Sequence, residues 1–391
     1  MAGGGTADGT HRPGERLKLL HVIHTLDPAG GGAVSAARSM CAALAARGHD
    51  VSLYATGPEP ADRQDGYRSR IFPMEFKPMA VSSKLLTALR QKTDVDLVHI
   101  HMLYRFPQTA AAWVCRRNRI PYCVQPHGAL EPVLYHKRER RTAKRLYESL
   151  IENRNLKDAA GLIYTAEGEK QAVDFLKLRA PAFVVPLGVG LPPAEPPQGL
   201  FRLRHGLEDK ELIVWMGRMV PVKGLDILMR AFAGLARRRP RAVLVLAGPD
   251  TGNLAGGLRQ LMAELGLAPG RVIFTGMLEG EQKWAVLKDA DLFLLPSHTE
   301  NFALAAVEAM AMGCPVIVSQ GVKIAPDIAA AGAGLVAAAE PAALESAINR
   351  LLDDGGLRAT MGAAARIFAH RLDWPQVIGR LEEAYRAMIA E

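Results

Sequence analysis

Short apolar runs of strand length recur along the chain, and the segments between them carry apolar residues at helical spacing. In the first half the runs are Leu17–Leu26 (LKLLHVIHTL), VSLYAT from Val51, VDLVHIHM from Val95, IPYCVQ from Ile120 and GLIYT from Gly161. The helix between the first two, VSAARSMCAALAARGHD, ends at Gly48. This opening strand–helix–strand predicts an α/β fold with a doubly wound parallel sheet. From Pro186 to Gln198 the chain is dense in proline and glycine, as an interdomain linker is. The alternation then resumes with LIVWMG, AVLVLAG, RVIFTG, DLFLLP and CPVIVS as strands. The pattern therefore divides the chain into a domain over 16–190, a second over 191–370, and a closing amphipathic helix over 371–391 that returns to the first domain. Residues 1–15, rich in glycine and polar groups without periodicity, read as a disordered terminus.

The most informative stretch is Leu292 to Ser319, a strand, a loop, an Ala-rich helix of about three turns stopped by Gly313 and Pro315, and a second strand. In such a unit, ligands meet the loop beyond the strand's carboxyl end and the helix N-terminus. Glu300 stands in that loop. Glu308 follows eight positions later, about two turns at ~3.6 residues each, among Ala305, Ala306, Val307, Ala309 and Met310. A carboxylate on so apolar a helix needs a partner, structural or ligand.

Three other places carry chemistry. Arg218 and Lys223 occupy the loop after LIVWMG, where Gly217 and Gly224 let the backbone come close. A planar guanidinium and a point-charge ammonium there suit a diphosphate. Gly30 and Gly32, after the first strand, come near a dinucleotide fingerprint, but the second strand ends Tyr54-Ala55-Thr56 without the acidic residue a nicotinamide cofactor needs. His127-Gly128 follows the strand IPYCVQ directly, and a lone histidine there is either structural or a hydrogen-bonding partner for a substrate. His99 and His101 share one strand face by period two, without a third metal ligand at a familiar spacing. Asp94 and Asp96 form a D-x-D that precedes its strand, the wrong end for a ligand crevice, and read as a solvated turn.

Glu300 to Glu308, with Asn301 and Phe302 before the helix and Gly313 and Pro315 behind it, resembles the E-x7-E signature of the retaining glycosyltransferases of family 4, whose GT-B fold has two Rossmann-like domains facing across a cleft. The string G-R-x4-K-G from Gly217 is similar to that family's phosphate loop. The resemblance implies a hexosyltransferase that takes a sugar from a UDP- or GDP-sugar donor with retention, needing no metal and no cofactor. It implies a donor contact for Glu300, ribose hydroxyls for Glu308, and a donor site completed by Asn301, Phe302, Ala303 and Leu304. Ala303 departs from the glycine more usual there. It implies further that Gly31 and Gly32 face the donor's phosphate and sugar, and that His127 lies beside the sugar. Arg218, Lys223, Glu300 and His127 are then the catalytic set. PHGALEP…HKRERR and IAPDIAAAGAGLV look like bacterial members that build exopolysaccharide or lipopolysaccharide, with a glycan or lipid-linked acceptor.

Composition narrows the setting. The 391 residues, 49% hydrophobic, are enough for two cores. The net charge of +8 permits anionic partners but does not choose among them. Its densest run places Lys137, Arg138, Arg140, Arg141, Lys144 and Arg145 on a helix, with Leu146, Tyr147, Leu150 and Ile151 as its buried stripe. That run is a solvated face or a peripheral contact with an anionic membrane surface. It lacks the aromatic platform of a nucleic-acid binder. Cys41, Cys115, Cys123 and Cys314 show neither zinc-finger nor C-x-x-C spacing, and no apolar run is long enough to cross a membrane or serve as a secretion signal. A cytoplasmic enzyme, peripheral on the inner membrane face when the basic helix engages lipid, is the expectation. The rivals are a nucleotide-sugar epimerase or hydrolase of the same fold, and a non-catalytic membrane-surface scaffold.

Overall fold

The computed structural model describes residues 16–59, 61–64, 66–132 and 146–390, which fall into two units, each with its own sheet. The first unit takes the chain through Thr165, together with Glu169–Val185 and Val377–Glu391. The second comprises Ala166–Gly168 and Pro186–Gln376. The expected disorder of 1–15 and the basic side chains Lys137, Arg138, Arg140, Arg141, Lys144 and Arg145 lie outside the described residues.

Eight strands build the first sheet: β1 (Lys18–Val22), β2 (Asp50–Gly57), β3 (Ala61–Gln64), β4 (Arg68–Pro73), β5 (Leu97–His101), β6 (Tyr122–Gln125), β7 (Gly161–Tyr164) and β8 (Ala182–Val184). Their order is β3-β4-β2-β1-β5-β6-β7-β8, parallel throughout except for the β3–β4 pair. The β3 hairpin partner, sequence ADRQ, is too polar for a periodicity reading to single out. Chain direction across the sheet reverses between β1 and β5, so the loops at their carboxyl ends border the crevice that a doubly wound sheet offers to ligands.

The second sheet has six parallel strands, β9 (Glu211–Met216), β10 (Ala242–Ala247), β11 (Val272–Gly276), β12 (Leu292–Leu295), β13 (Val316–Ser319) and β14 (Gly334–Ala337). Their order is β11-β10-β9-β12-β13-β14, which puts the reversal between β9 and β12. Every residue of β10, β12 and β13 is buried, as strands covered by helices on both faces must be. The helix expected to run about three turns after β12 is shorter, Leu304–Ala311, because the loop from Pro296 carries the chain as far as Ala303 before the helix begins.

One expected stripe is corrected. Leu146 and Leu150 are 61% and 64% exposed, and Tyr147 and Ile151 are only half-buried. A π-helical turn, Glu148–Glu152, widens the helix there and turns Glu148, Glu152, Asn155 and Leu156 inward instead. Buried polar groups demand partners, and Glu152 accepts a hydrogen bond from the Tyr104 amide at 3.2 Å.

The final helix, Trp374–Ala390, secures itself to the first unit through Glu382. That carboxylate accepts from Arg47 Nε and Nη2 at 3.0 and 2.9 Å, and His49 Nε2 lies 2.9 Å away. Burial works against its ionisation, but the bonds from Arg47 and His49 outweigh burial and hold its pKa below the ordinary carboxylate value. A depressed carboxylate stabilises the fold above the unfolded-state pKa, and that contribution disappears as pH falls through the folded-state pKa. Glu382→Gln is therefore expected to cost about 1 kcal/mol of stability at pH 7 and much less at pH 3. Urea melts of both proteins at the two pH values check this; an equal loss at both would refute the ionic account.

Candidate functional site

The second unit gathers its charged residues at the β9/β12 reversal. After β9 the chain passes Gly217 and Arg218, makes a single 3-10 turn at Pro221–Lys223, and enters the helix Leu225–Arg238 through Gly224. Gly224 has φ 65°, and a β-carbon there would sit 2.2 Å from the Pro296 carbonyl oxygen. Only glycine lets the β9 loop lie against the β12 loop so closely. The His298 amide donates to the Val222 carbonyl at 2.8 Å, completing the join.

Across that join Lys223 Nζ donates to Glu300 Oε2. Both side chains are largely buried, about one-fifth exposed. The backbone of Glu300 is fixed as well: its amide donates to the Gly321 carbonyl at 3.0 Å and its carbonyl accepts from Lys323 at 2.9 Å. Two groups that the sequence assigns separately, one to phosphate and one to sugar, are thus brought into direct contact. Arg218 is exposed on the same loop and makes no ion pair with any carboxylate among the described residues.

Glu308 is buried in the helix Leu304–Ala311, and its partner is Lys283, with Nζ 2.7 Å from Oε1. Lys283 belongs to the helix Gly280–Asp289 after β11 and lies over the Trp284 ring, 4.4 Å from its centroid. Burial raises the Glu308 pKa above the ordinary carboxylate value, and the Lys283 ammonium opposes that rise. Sequence pattern does not reveal Lys283, because a lysine on a helix carries no signal until the fold places it against a carboxylate.

The helix of Glu308 begins at Ala303, which has φ 57° and ψ 48°. This left-handed conformation costs an L-residue about 1–2 kcal/mol relative to glycine, and it is the position where the sequence departs from the family's glycine. Phe302 and Ala303 are buried, so what they can offer a ligand is main chain, whereas Asn301 and Leu304 are partly exposed. The first amides of the helix project out beyond its N-terminus, where an anion is favoured.

In the first unit, Gly31 caps the helix Gly32–Ala46 with φ 76° and ψ −149°, a conformation open to glycine. Gly32 is exposed and has open space where a β-carbon would be. His127 sits at the carboxyl end of β6, half-buried, with φ 49°. The following amide, of Gly128, donates to Glu169 Oε1 at 3.1 Å, while Thr165 donates to Glu169 Oε2 from both its amide and its hydroxyl at 2.7 Å. Glu169 thereby fixes the His127-Gly128 turn, another role invisible in sequence.

His99 and His101 do share a face, and β1 adds His21 to them in register with His99. This third histidine was missed because it lies 78 residues from His99 in sequence and beside it only in the sheet. Asp94 and Asp96 stay at the amino end of β5, where Asp94 pairs with Lys18 Nζ at 2.8 Å and Asp96 accepts the Lys18 amide at 2.7 Å. All four cysteines are buried and unbridged, and no helix among the described residues is long and apolar enough to cross a membrane.

Comparison with known proteins finds relatives along both halves of the chain. The model for glycosyl transferases group 1 matches residues 201–368, and that for the glycosyl transferase 4-like domain matches 31–188. The D-inositol 3-phosphate glycosyltransferase of Nocardia farcinica is 31% identical over 360 residues, covering 89% of this chain and 77% of its own. That of Salinispora arenicola is 36% identical over 203 residues, 49% of this chain and 45% of its own, so the match to it spans less than half of that relative. Among solved structures, sucrose-phosphate synthase from Thermosynechococcus elongatus superposes with a TM-score of 0.76 at 24% identity, covering 95% of this chain and 98% of that one. Anabaena HepE in complex with UDP and glucose gives 0.77 at 20% identity, with coverages of 94% and 99%. At these identities the structural likeness speaks for the fold, GT-B. Two doubly wound sheets, the E-x7-E helix with its lysine partners, and matches along both halves lead to one conclusion: the chain belongs to the group 1 glycosyltransferases, with a glycosyltransferase 4-like first domain.

Proposed function

We propose that the protein transfers a hexose from a UDP- or GDP-sugar to a hydroxyl of a glycan or lipid-linked acceptor, with retention of anomeric configuration and without a metal ion. The observation that carries the reading is the convergence at the β9/β12 reversal of Arg218, Lys223 and Glu300, with Glu308 on the helix behind them. A nucleoside diphosphate needs a cationic seat for its phosphates and an acceptor pair for its ribose hydroxyls, and these residue types supply both. UDP is bound by HepE, whose fold this chain shares.

In this reading Arg218 and Lys223 hold the diphosphate, and Glu308, kept in place by Lys283, accepts from the ribose hydroxyls. As the bond between the anomeric carbon and the β-phosphate oxygen breaks, negative charge grows on that oxygen and the two cations offset it. The acceptor oxygen attacks from the face the phosphate is leaving, and its proton passes to the leaving phosphate. Retention follows from same-face departure and attack. Glu300 contacts the donor sugar from the loop after β12, and His127 and the Gly31-Gly32 turn supply the first domain's contacts to it. Exposed Leu146 and Leu150, one helical turn apart and adjoining the basic run, support an acceptor presented at a lipid surface.

Thermal shifts with UDP, GDP and ADP, each in EDTA and in magnesium, test the donor assignment on the wild type and on Glu308→Ala. A nucleotide at ~100 times its dissociation constant adds about 2.7 kcal/mol of stability. One nucleotide is expected to stabilise the wild type equally in EDTA and magnesium and, at the same concentration, to stabilise Glu308→Ala by only about 0.4 kcal/mol. A response that requires magnesium would end the metal-independent reading, and no response to any nucleotide would end the donor assignment.

A further inference from the structure

A line of buried imidazoles runs behind His127. β1 and β5 pair with His21 opposite His99, and period two sets His101 on the same face. His21 Nδ1 lies 3.0 Å from His101 Nε2, and His101 Nδ1 lies 3.0 Å from His127 Nε2. His21 and His101 are fully buried, whereas His127 is half-buried at the strand end. The chain of rings therefore leads from the sheet interior to the ligand-facing turn.

These rings are poorly arranged for a metal. His21, His99 and His101 form the one group of potential ligands that gathers among the described residues. A cation must lie close to the plane of each imidazole that binds it, at ~2.0–2.1 Å from the nitrogen for zinc. His99 and His101 are stacked, with centroids 4.1 Å apart and planes within 10°, so their lone pairs do not converge. His101 moreover has both nitrogens engaged by His21 and His127.

A hydrogen-bonded chain of neutral rings is the alternative, and it has a direction. Burial pushes the pKa of His21 down to about 3 and that of His127 to about 4, and holds His101 well below its ordinary value. Each ring thus carries a single ring proton at neutral pH, and the two bonds must point the same way. If they point inward, His127 Nε2–H donates to His101, His101 Nε2–H donates to His21, and an N–H is left at His21 Nε2. If they point outward, His21 Nε2 keeps only a lone pair. That atom is buried with no hydrogen-bond partner among the described residues. Buried N–H groups without an acceptor are the rarest of unsatisfied polar groups, so the outward direction is favoured. His99 stands apart from this chain: its Nδ1 lies 2.6 Å from the Tyr385 hydroxyl, which can donate onward to Met40 Sδ at 3.8 Å, and the Gln125 side chain interacts with the same ring.

We propose that His21 and His101 are positioning residues that hold His127 as its Nδ1–H tautomer, the form less favoured by free histidine in water, so that its outer nitrogen is a hydrogen-bond donor. The matching ligand atom is an oxygen acceptor of the sugar or phosphate. His127 then orients the donor through Nδ1 and does not take up the acceptor's proton there, which leaves that proton to the leaving phosphate. The identity of the ligand rests on the glycosyltransferase reading above; the tautomer does not.

The test is two-bond 1H–15N correlation spectroscopy of the full chain labelled with ring-15N histidine, each ring assigned from the signal lost in His21→Phe, His101→Leu and His127→Asn. The wild type is expected to show His21, His101 and His127 protonated on Nδ1. His101→Asn retains an N–H donor near the place of Nδ1 and should keep the His127 tautomer, with kcat/KM within about threefold of wild type. His101→Asp puts a carboxylate acceptor in the donor's place; His127 should shift to Nε2–H and kcat/KM fall about tenfold, the worth of one net hydrogen bond. A wild-type His127 protonated on Nε2, or one unchanged by His101→Asp, overturns the proposal, and the wild-type spectrum alone decides the direction should the aspartate variant not fold. Absence of turnover with every nucleotide sugar would defeat the glycosyltransferase reading while leaving the spectrum to judge the chain.

Discussion

Replacing Lys223 with alanine should lower kcat by about 10²–10³-fold, the scale of losing one preorganised charge contact at a developing anion. The expectation rests on location: Lys223 lies at the β9/β12 reversal, held by the Gly224 contact against the β12 loop. Its ammonium meets Glu300 in the free protein, and both are shielded from bulk water, which strengthens whatever charge they meet. Arg218→Ala removes the exposed cation of the same loop and should act in the same direction. Pre-steady-state turnover with saturating donor separates this loss from weaker binding. If kcat is unchanged in both variants, the phosphate role of this loop is wrong. If Lys223→Ala matters and Arg218→Ala does not, the lysine alone carries the leaving charge.

The second large effect belongs to Glu308. Its loss should weaken nucleotide binding about 10²-fold, because hydrogen bonds to a charged group are each worth about 1.5–3 kcal/mol and a ribose offers two hydroxyls. Titration calorimetry of a folded Glu308→Ala protein checks this, and undiminished affinity would refute the ribose role. The pH dependence follows from its environment. Burial raises the folded-state pKa of Glu308, so between the ordinary carboxylate value and that raised value the native state holds a proton that the unfolded state has released. Its ionisation therefore subtracts stability as pH rises through this window, and only the ionised form can accept from both hydroxyls. Nucleotide affinity should fall on acidification, starting above the ordinary carboxylate range. Lys283→Met removes the ammonium that opposes the rise and should move this acid limb to still higher pH.

How much of this was legible beforehand differs by residue. The strands β9, β10, β12 and β13 were readable because buried parallel strands are continuous apolar runs, and Glu308 was conspicuous because a carboxylate on an Ala-rich helix contradicts its surroundings. The Leu146–Ile151 stripe was misread because periodicity assumes 3.6 residues per turn, and the π-turn at Glu148–Glu152 breaks that assumption. β3 was not seen since its four residues, ADRQ, are exposed or half-buried at a sheet edge.

The α/β class, the loop that carries Arg218 and Lys223, and the E-x7-E helix are all readable from sequence, because each depends on residues close together in the chain. Tertiary structure alone decided the pairings. Lys223 meets Glu300 across 77 positions, Lys283 meets Glu308 across 25, and Glu169 reaches the Gly128 amide across 41. His21 joins His101 across 80. Such contacts are set by strand order and by which loops leave the same sheet edge, and strand order is a global compromise of packing and connection that no local window contains.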